Sequence, residues 1–366
     1  MSAPRASVSP LADTRSTSTA SERSLEILGL WMAIVAFILV GVIAIPVFGF
    51  GPAPIAGEGS VGQYAAIASA VTATVVFIGG RLVVDDSTRR GRIGVLDVVD
   101  MAAFAFAHAI IALLGWTLTA TILENGFIDA VVFPVPVLLL SGAAASLTAY
   151  VAFLSATHLD LQLLAIVLAT FLALGIITSM LTASDPHWWQ ENLSALGMTD
   201  DLSARTFNLT LIVAGILVTT LARYATHQVP TSHPRGVARV RTCLVIVGIF
   251  LGLVGVFHVD DFFAIHTGVA SGMAVAFSIL VFALRRWIPR MPSTFLLLGY
   301  LFVVVIVTLA VLFAIGYYTL TAVELVAGLL VFTWIILFIR NADALRRDAE
   351  AAAAGPSGQG RVISHG

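Results

Sequence analysis

The stretch that decides the fold is MPSTFLLLGYLFVVVIVTLAVLFAIGYYTLTAV, Met291–Val323, which runs on without a single Asp, Glu, Lys or Arg. Its centre, Phe302-Val-Val-Val-Ile-Val307, is continuously apolar, so it lacks the alternation of a barrel strand. A run of that length exceeds the roughly 20 residues a helix needs to cross the hydrocarbon core. Outward from it lie further uncharged runs at 27–57, 59–80, 101–123, 130–159, 161–184, 206–222, 242–259, 262–284 and 325–339. Together they predict an all-α, polytopic integral membrane helical bundle of about ten transmembrane helices. The shorter runs are completed by a tolerated polar residue near one end.

Composition agrees. Hydrophobic residues make up 59% of the chain and charged residues 11%, against roughly 45–50% and 25% in soluble domains. All 19 cationic residues are arginine. The lack of lysine excludes a standard phosphate-loop ATPase, a pyridoxal Schiff base and a retinal linkage, each of which needs an amine. The single Cys243 excludes an intrachain disulfide, a four-cysteine zinc site and c-type haem attachment. A formal net charge of -2 gives no electrostatic case for nucleic acid as a partner.

The arginines set an expected orientation. With the N-terminus inside, the cytoplasmic segments hold every arginine except Arg205. Both termini are then cytoplasmic, in a bacterial inner (cytoplasmic) membrane; arginine-only, alanine-rich usage has the look of a high-GC bacterium. The expected organisation is a disordered tail over 1–26, a four-helix membrane region over 27–158, a six-helix module over 159–341 and a second disordered tail over 342–366. A cleaved signal peptide competes with an uncleaved first helix, but the apolar run after Glu26 is longer than such peptides use.

Scarce polar groups in such a chain need explaining. One expected outward loop reads Ser184-Asp-Pro-His-Trp-Trp-Gln-Glu-Asn-Leu-Ser-Ala-Leu-Gly197, followed by Thr199-Asp-Asp and Arg205. Trp188 and Trp189 suit the headgroup layer. Gly197 could end a short surface helix, and Thr199-Asp200-Asp201 could start the next. A second loop on the same side carries His258, Asp260, Asp261 and, beyond it, His266. Asp185, His187, Glu191, His258, Asp260, Asp261 and His266 are donors that zinc accepts, and imidazole beside carboxylate also suits general acid–base work. Structural or headgroup hydrogen bonding explains the same residues, and neither spacing is a metal motif.

Glu324 stands inside the tenth span, where an ionisable residue is costly and marks a candidate polar cavity. The alternative is that it reaches water or pairs with Arg205. With Asn208, these residues make one candidate outward polar site. In the third span, Asp100, Phe104 and His108 share a face, with Asp97 nearby. A proton path or simple local hydrogen bonds would explain them. Gly248-x-x-x-Gly252 and Gly268-x-x-x-Gly272 predict close helix approach.

The loop Asp185–Gly197, then Phe207-Asn208, then Gly252-Leu-Val-Gly-Val-Phe-His-Val-Asp260 and His266, resembles the bacterial membrane family known as domain of unknown function 998. The resemblance spans the fifth to tenth helices and implies a six-helix module with no established reaction. By it, Ser194, Leu196, Gly197, Phe207, Asn208, Asp260 and His266 fall on family-like positions, while His258 stands where the pattern has proline. Two functions follow as expectations. One is a membrane protein that binds or moves a lipid or small solute through an outward polar pocket. The other is a metal-dependent hydrolase or transferase acting at lipid headgroups.

Overall fold

The structure, a computed structural model, describes residues 10–84, 94–128, 130–158, 160–227, 229–230 and 233–354. Among them lie ten helices: α1 (Pro10–Phe48), α2 (Val61–Val84), α3 (Val95–Gly126), α4 (Pro134–Thr157), α5 (Leu161–Thr182), α6 (Leu202–His227), α7 (Pro234–Val256), α8 (Phe263–Trp287), α9 (Ser293–Ala314) and α10 (Leu320–Ala354). All ten contain a stretch long and apolar enough to span a membrane. The only strands among the described residues, β1 (Ala53–Pro54) and β2 (Val131–Val132), pair antiparallel with Ala53 opposite Val132.

Which residues these helices hide is the opposite of what water would select. On α2, Ala66 and Ala73 are each 1% exposed, whereas Val71 and Val75 are 60% and 64% exposed. Small side chains let helix backbones approach, and large apolar ones are left for lipid, which solvates them as well as a protein core does. The chain forms two compact units, Met1–Leu159 and Asp160–Gly366.

In the first unit α2 packs against both α3 and α4, and α1 packs on α4. Tyr64 donates its hydroxyl to the Val40 carbonyl at 2.7 Å, fastening α2 to α1. Pro134 stands in the first turn of α4, as its fixed φ favours. The third-span polar residues are satisfied locally. Asp97 accepts from the Gly94 amide at 3.0 Å. His108 reaches the Phe104 carbonyl through Nδ1 and the Ser155 hydroxyl through Nε2, each at 2.7 Å. Both side chains are buried, so His108 acts as a clamp between α3 and α4.

In the second unit consecutive helices from α5 to α10 pack on one another, and α10 returns against α5, closing the six into a ring. Its tightest seam joins α6 and α7. A Cβ on Gly215 would lie 2.5 Å from the Gly248 carbonyl oxygen and 2.7 Å from the Gly252 nitrogen. The second glycine pair works only in part: Gly272 faces the Phe250 ring, whereas Gly268 meets nothing within 4 Å. Trp334 of α10, 1% exposed, fills the space between α8 and α9, with Phe277, Phe295 and Phe338 around it.

Two expectations change at the chain ends. No Gly or Pro interrupts residues 11–28, so α1 takes in residues from Pro10 that were expected in the tail; residues 1–9 lie outside the described residues. At the other end α10 continues past residue 341, supported by Arg346 on Asp343 at 2.6 Å and on Glu350 at 3.0 Å, and by Arg347 on Asp343 at 2.9 Å. Such pairs, three and four residues apart, carry a helix beyond its apolar portion. Residues 355–366 lie outside the described residues.

The α6–α7 seam gives a direct check. Gly215→Val should cost at least about 1–3 kcal/mol through overpacking and lower the melting temperature in detergent by several degrees. Gly268→Ala should leave it unchanged. Equal melting temperatures for Gly215→Val and the wild type would contradict the seam.

Candidate functional site

The loop joining α5 to α6 is drawn together by one carboxylate. Asp201 accepts the Ala204 amide on Oδ1 at 2.9 Å, capping α6 as the Thr199-Asp200-Asp201 pattern predicts. Its Oδ2 accepts the Ser184 amide at 3.2 Å, so the two ends of the loop meet on Asp201. Desolvation opposes ionisation of this carboxyl. The Ser184 hydroxyl, the Ala204 amide, the Thr199 hydroxyl and the Ser184 amide outweigh it and hold Asp201 well below the usual carboxylate range.

Between those ends lie two short 3-10 turns, Trp188–Gln190 and Leu193–Gly197. The second is where the unit's polar side chains meet. Glu324, in the first turns of α10, accepts the Leu193 amide on Oε2 at 2.5 Å. Asn208 of α6 donates from Nδ2 to the Gly197 carbonyl at 3.0 Å and to His258 Nε2 at 3.0 Å. Ser203 donates its hydroxyl toward the Leu196 carbonyl at 3.3 Å and shares a second hydroxyl contact with Ser179 of α5 at 2.9 Å. A side chain on Gly197 would displace Asn208, because a Cβ would lie 2.4 Å from Asn208 Oδ1.

His266, in the first turn of α8 and 6% exposed, reaches the same turn. Its Nδ1 lies 2.7 Å from the Phe257 carbonyl oxygen and its Nε2 lies 3.1 Å from Ser194 Oγ. A carbonyl only accepts, so Nδ1 carries the proton. In the neutral ring Nε2 is then an acceptor, and the Ser194 hydroxyl donates to it. The α7–α8 loop is itself clasped, with the Phe257 and Phe262 rings edge to face at 5.5 Å.

The structure therefore brings together four of the sequence candidates, Asn208, His258, His266 and Glu324, around one turn. Asp260 and Asp261 are exposed, yet with His258 they offer ligand atoms within 4.8 Å of one another. That is one nitrogen and two carboxylates, a set zinc accepts. The two aspartates do not cap α8, whose N-cap is Phe262. Asp185 and His187 form a local pair instead: the His187 amide donates to Asp185 Oδ1 at 2.8 Å, and the side chains are 3.7 Å apart and exposed. Glu191 and Arg205 are exposed, and among the described residues no ion pair joins Arg205 to Glu324.

Sequence reasoning reached Ser194 only through the family resemblance and Asp201 only as part of a helix start, and it missed Ser203, because a loop serine carries no distinguishing pattern. It also missed two buried oxygens with no hydrogen-bond partner, Asn192 Oδ1 and Thr321 Oγ1. Asn192 precedes the residue that Glu324 holds, and Thr321 stands one helical turn before Glu324 on α10.

Residues 164–341 match a family described as a protein of unknown function, DUF998. The DUF998 match takes in most of α5 and α10 as far as residue 341, with everything between, including the whole turn and its partners. Helices α1–α4 lie outside it. No curated protein and no solved structure matches the chain.

Asp201 supplies a test of how the loop between α5 and α6 is held. Asp201→Ala should remove about 1 kcal/mol, the usual worth of an N-cap. Because the folded carboxyl is shifted down, its contribution is present above the unfolded value of about 3.9 and is lost as pH falls through the folded value. The gap in melting temperature between variant and wild type should therefore be widest at neutral pH and close in acid. A gap constant from pH 7 to pH 3 would show that the carboxylate is not its source.

Proposed function

We propose that this multi-pass membrane protein binds, or moves, a lipid or small solute at the arginine-poor end of its DUF998 module. The observation that carries the reading is Glu324, an ionisable side chain inside a span, with its carboxylate turned to the Leu193 amide and two unpartnered buried oxygens close by in sequence. Placing such a residue in a membrane helix is costly, so a chain that keeps one has a use for it. One carboxylate oxygen satisfied by an amide leaves the other able to accept. Asn192 Oδ1 can likewise only accept, and the Thr321 hydroxyl can accept as well as donate. A ligand with several donors, such as the ammonium of a lipid headgroup, supplies what is lacking.

The arginine distribution supports an orientation with that end facing outward and both termini in the cytoplasm of a bacterial cell. Trp189, 49% exposed in the same loop, suits the headgroup layer at that face. A second reading, a zinc-assisted hydrolase or transferase, is favoured by the His258, Asp260 and Asp261 cluster alone. It predicts one zinc per chain on metal analysis of the purified protein, lost in Asp260→Ala.

The lipid reading is tested by titrating short-chain phosphatidylethanolamine into the detergent-solubilised protein and counting bound copies by native mass spectrometry. The wild type should retain one copy, and Glu324→Gln should weaken it roughly tenfold, as a lost charged hydrogen bond does. Equal retention by the two proteins, or by neither, would contradict the assignment to Glu324.

A further inference from the structure

From the alignment of Ser194, His266 and the Phe257 carbonyl, we propose that Ser194 is a nucleophile with His266 as its general base, acting on acyl esters of membrane lipids. The substrate class rests on the lipid reading above, whereas the chemistry rests on the three groups themselves. A serine hydroxyl is a weak nucleophile until a base is placed to take its proton. Here the base is in place at 3.1 Å, and its tautomer is fixed by the 2.7 Å contact of Nδ1 with a carbonyl. The carbonyl orients the ring as a carboxylate would, without its full charge.

Preorganisation distinguishes this pair from ordinary loop hydrogen bonding. The turn bearing Ser194 is held at its start by Glu324 on Leu193 and at its end by Asn208 on Gly197, so the hydroxyl is fixed relative to the imidazole. The first unit provides an internal contrast. His108 and Ser155 make the same carbonyl–imidazole–hydroxyl chain, but Ser155 is 4% exposed inside α4 and no substrate reaches it. Ser194 instead lies half-buried in a loop. Phe262, Phe263 and Ile265 beside His266 are exposed apolar side chains, a surface suited to acyl chains.

The step balances without a further reactant. Ser194 Oγ forms a bond to the ester carbonyl carbon as its proton passes to His266 Nε2. The Phe257 carbonyl stabilises the imidazolium through the Nδ1 proton. The carbon–oxygen bond to the alcohol then breaks, and the leaving alkoxide takes the proton back from Nε2. The acyl group remains on Ser194 until water or a second alcohol removes it by the reverse sequence.

The test treats the full-length protein, in nanodiscs of phosphatidylethanolamine and phosphatidylglycerol, with an alkyl fluorophosphonate. Ser194 Oγ would bond to phosphorus as fluoride leaves and the proton moves to His266. One adduct per chain, mapped to Ser194, is expected. It should be absent in Ser194→Ala, unchanged in Ser155→Ala and slowed at least about a hundredfold in His266→Asn, the loss typical of a removed general base. No adduct at Ser194 in the wild type, or an equal rate in folded His266→Asn, overturns the proposal. If His266→Asn does not fold, competition by short-chain phosphatidylethanolamine decides: slowed labelling of the wild type supports the proposal and unaffected labelling overturns it. Phosphatidylethanolamine retained without any adduct would refute the nucleophile and leave the lipid site standing. An adduct without retention would do the reverse.

Discussion

A carboxylate on a membrane-spanning helix must find a donor, and in this protein Glu324 finds the Leu193 amide. That contact fastens α10 to the loop between α5 and α6, at the end of the ring where the polar side chains gather. The same turn takes Asn208 from α6 and His266 from α8. A segment of five residues, Leu193–Gly197, is thus held by three helices that sequence places far apart. Backbone outside a helix is tolerated near a membrane only where its polar groups are satisfied by protein or water, and these side chains satisfy them.

What lets the helices come close enough for those contacts is the packing beneath the turn. Gly215 against Gly248 and Gly255 against Asn208 and Leu211 bring α6 and α7 together without intervening side chains. Close approach there carries Asn208 toward His258 at the end of α7. At the arginine-rich end the Trp334 ring, edge to face with Phe277 and stacked on Phe295, does the corresponding work for α8, α9 and α10. Apolar packing at one end and hydrogen bonding at the other close the ring between them.

The spans were legible because uncharged length is a one-dimensional property: the run Met291–Val323 is long enough to cross a bilayer, although the structure ends α9 at Ala314 and begins α10 at Leu320 within it. The limits of α1 and α10 were less so, since a helix can outrun its membrane portion when local pairs such as Arg346 with Asp343 support it. Glu324 was legible for the opposite reason, as a lone acid where acids are costly. Its partner was not: a pairing with Arg205 is reasonable on charge, but a backbone amide already lies against the carboxylate. Ser194 shows the other limit. The resemblance puts Ser194 on a family-like position, but no role for it is legible until His266, far along the chain, is placed beside it with a fixed tautomer.

The convergence on Leu193–Gly197 is the claim on which the functional reading stands. It is tested most directly with Ser194→Cys and His266→Cys combined in a Cys243→Ser background. The pair is treated in membranes with a short bifunctional thiol reagent that fluoresces only when both thiols are bridged. An intrachain bridge is expected in the double variant and none in either single variant. Two thiols that each react separately, with no bridge between them, would contradict it.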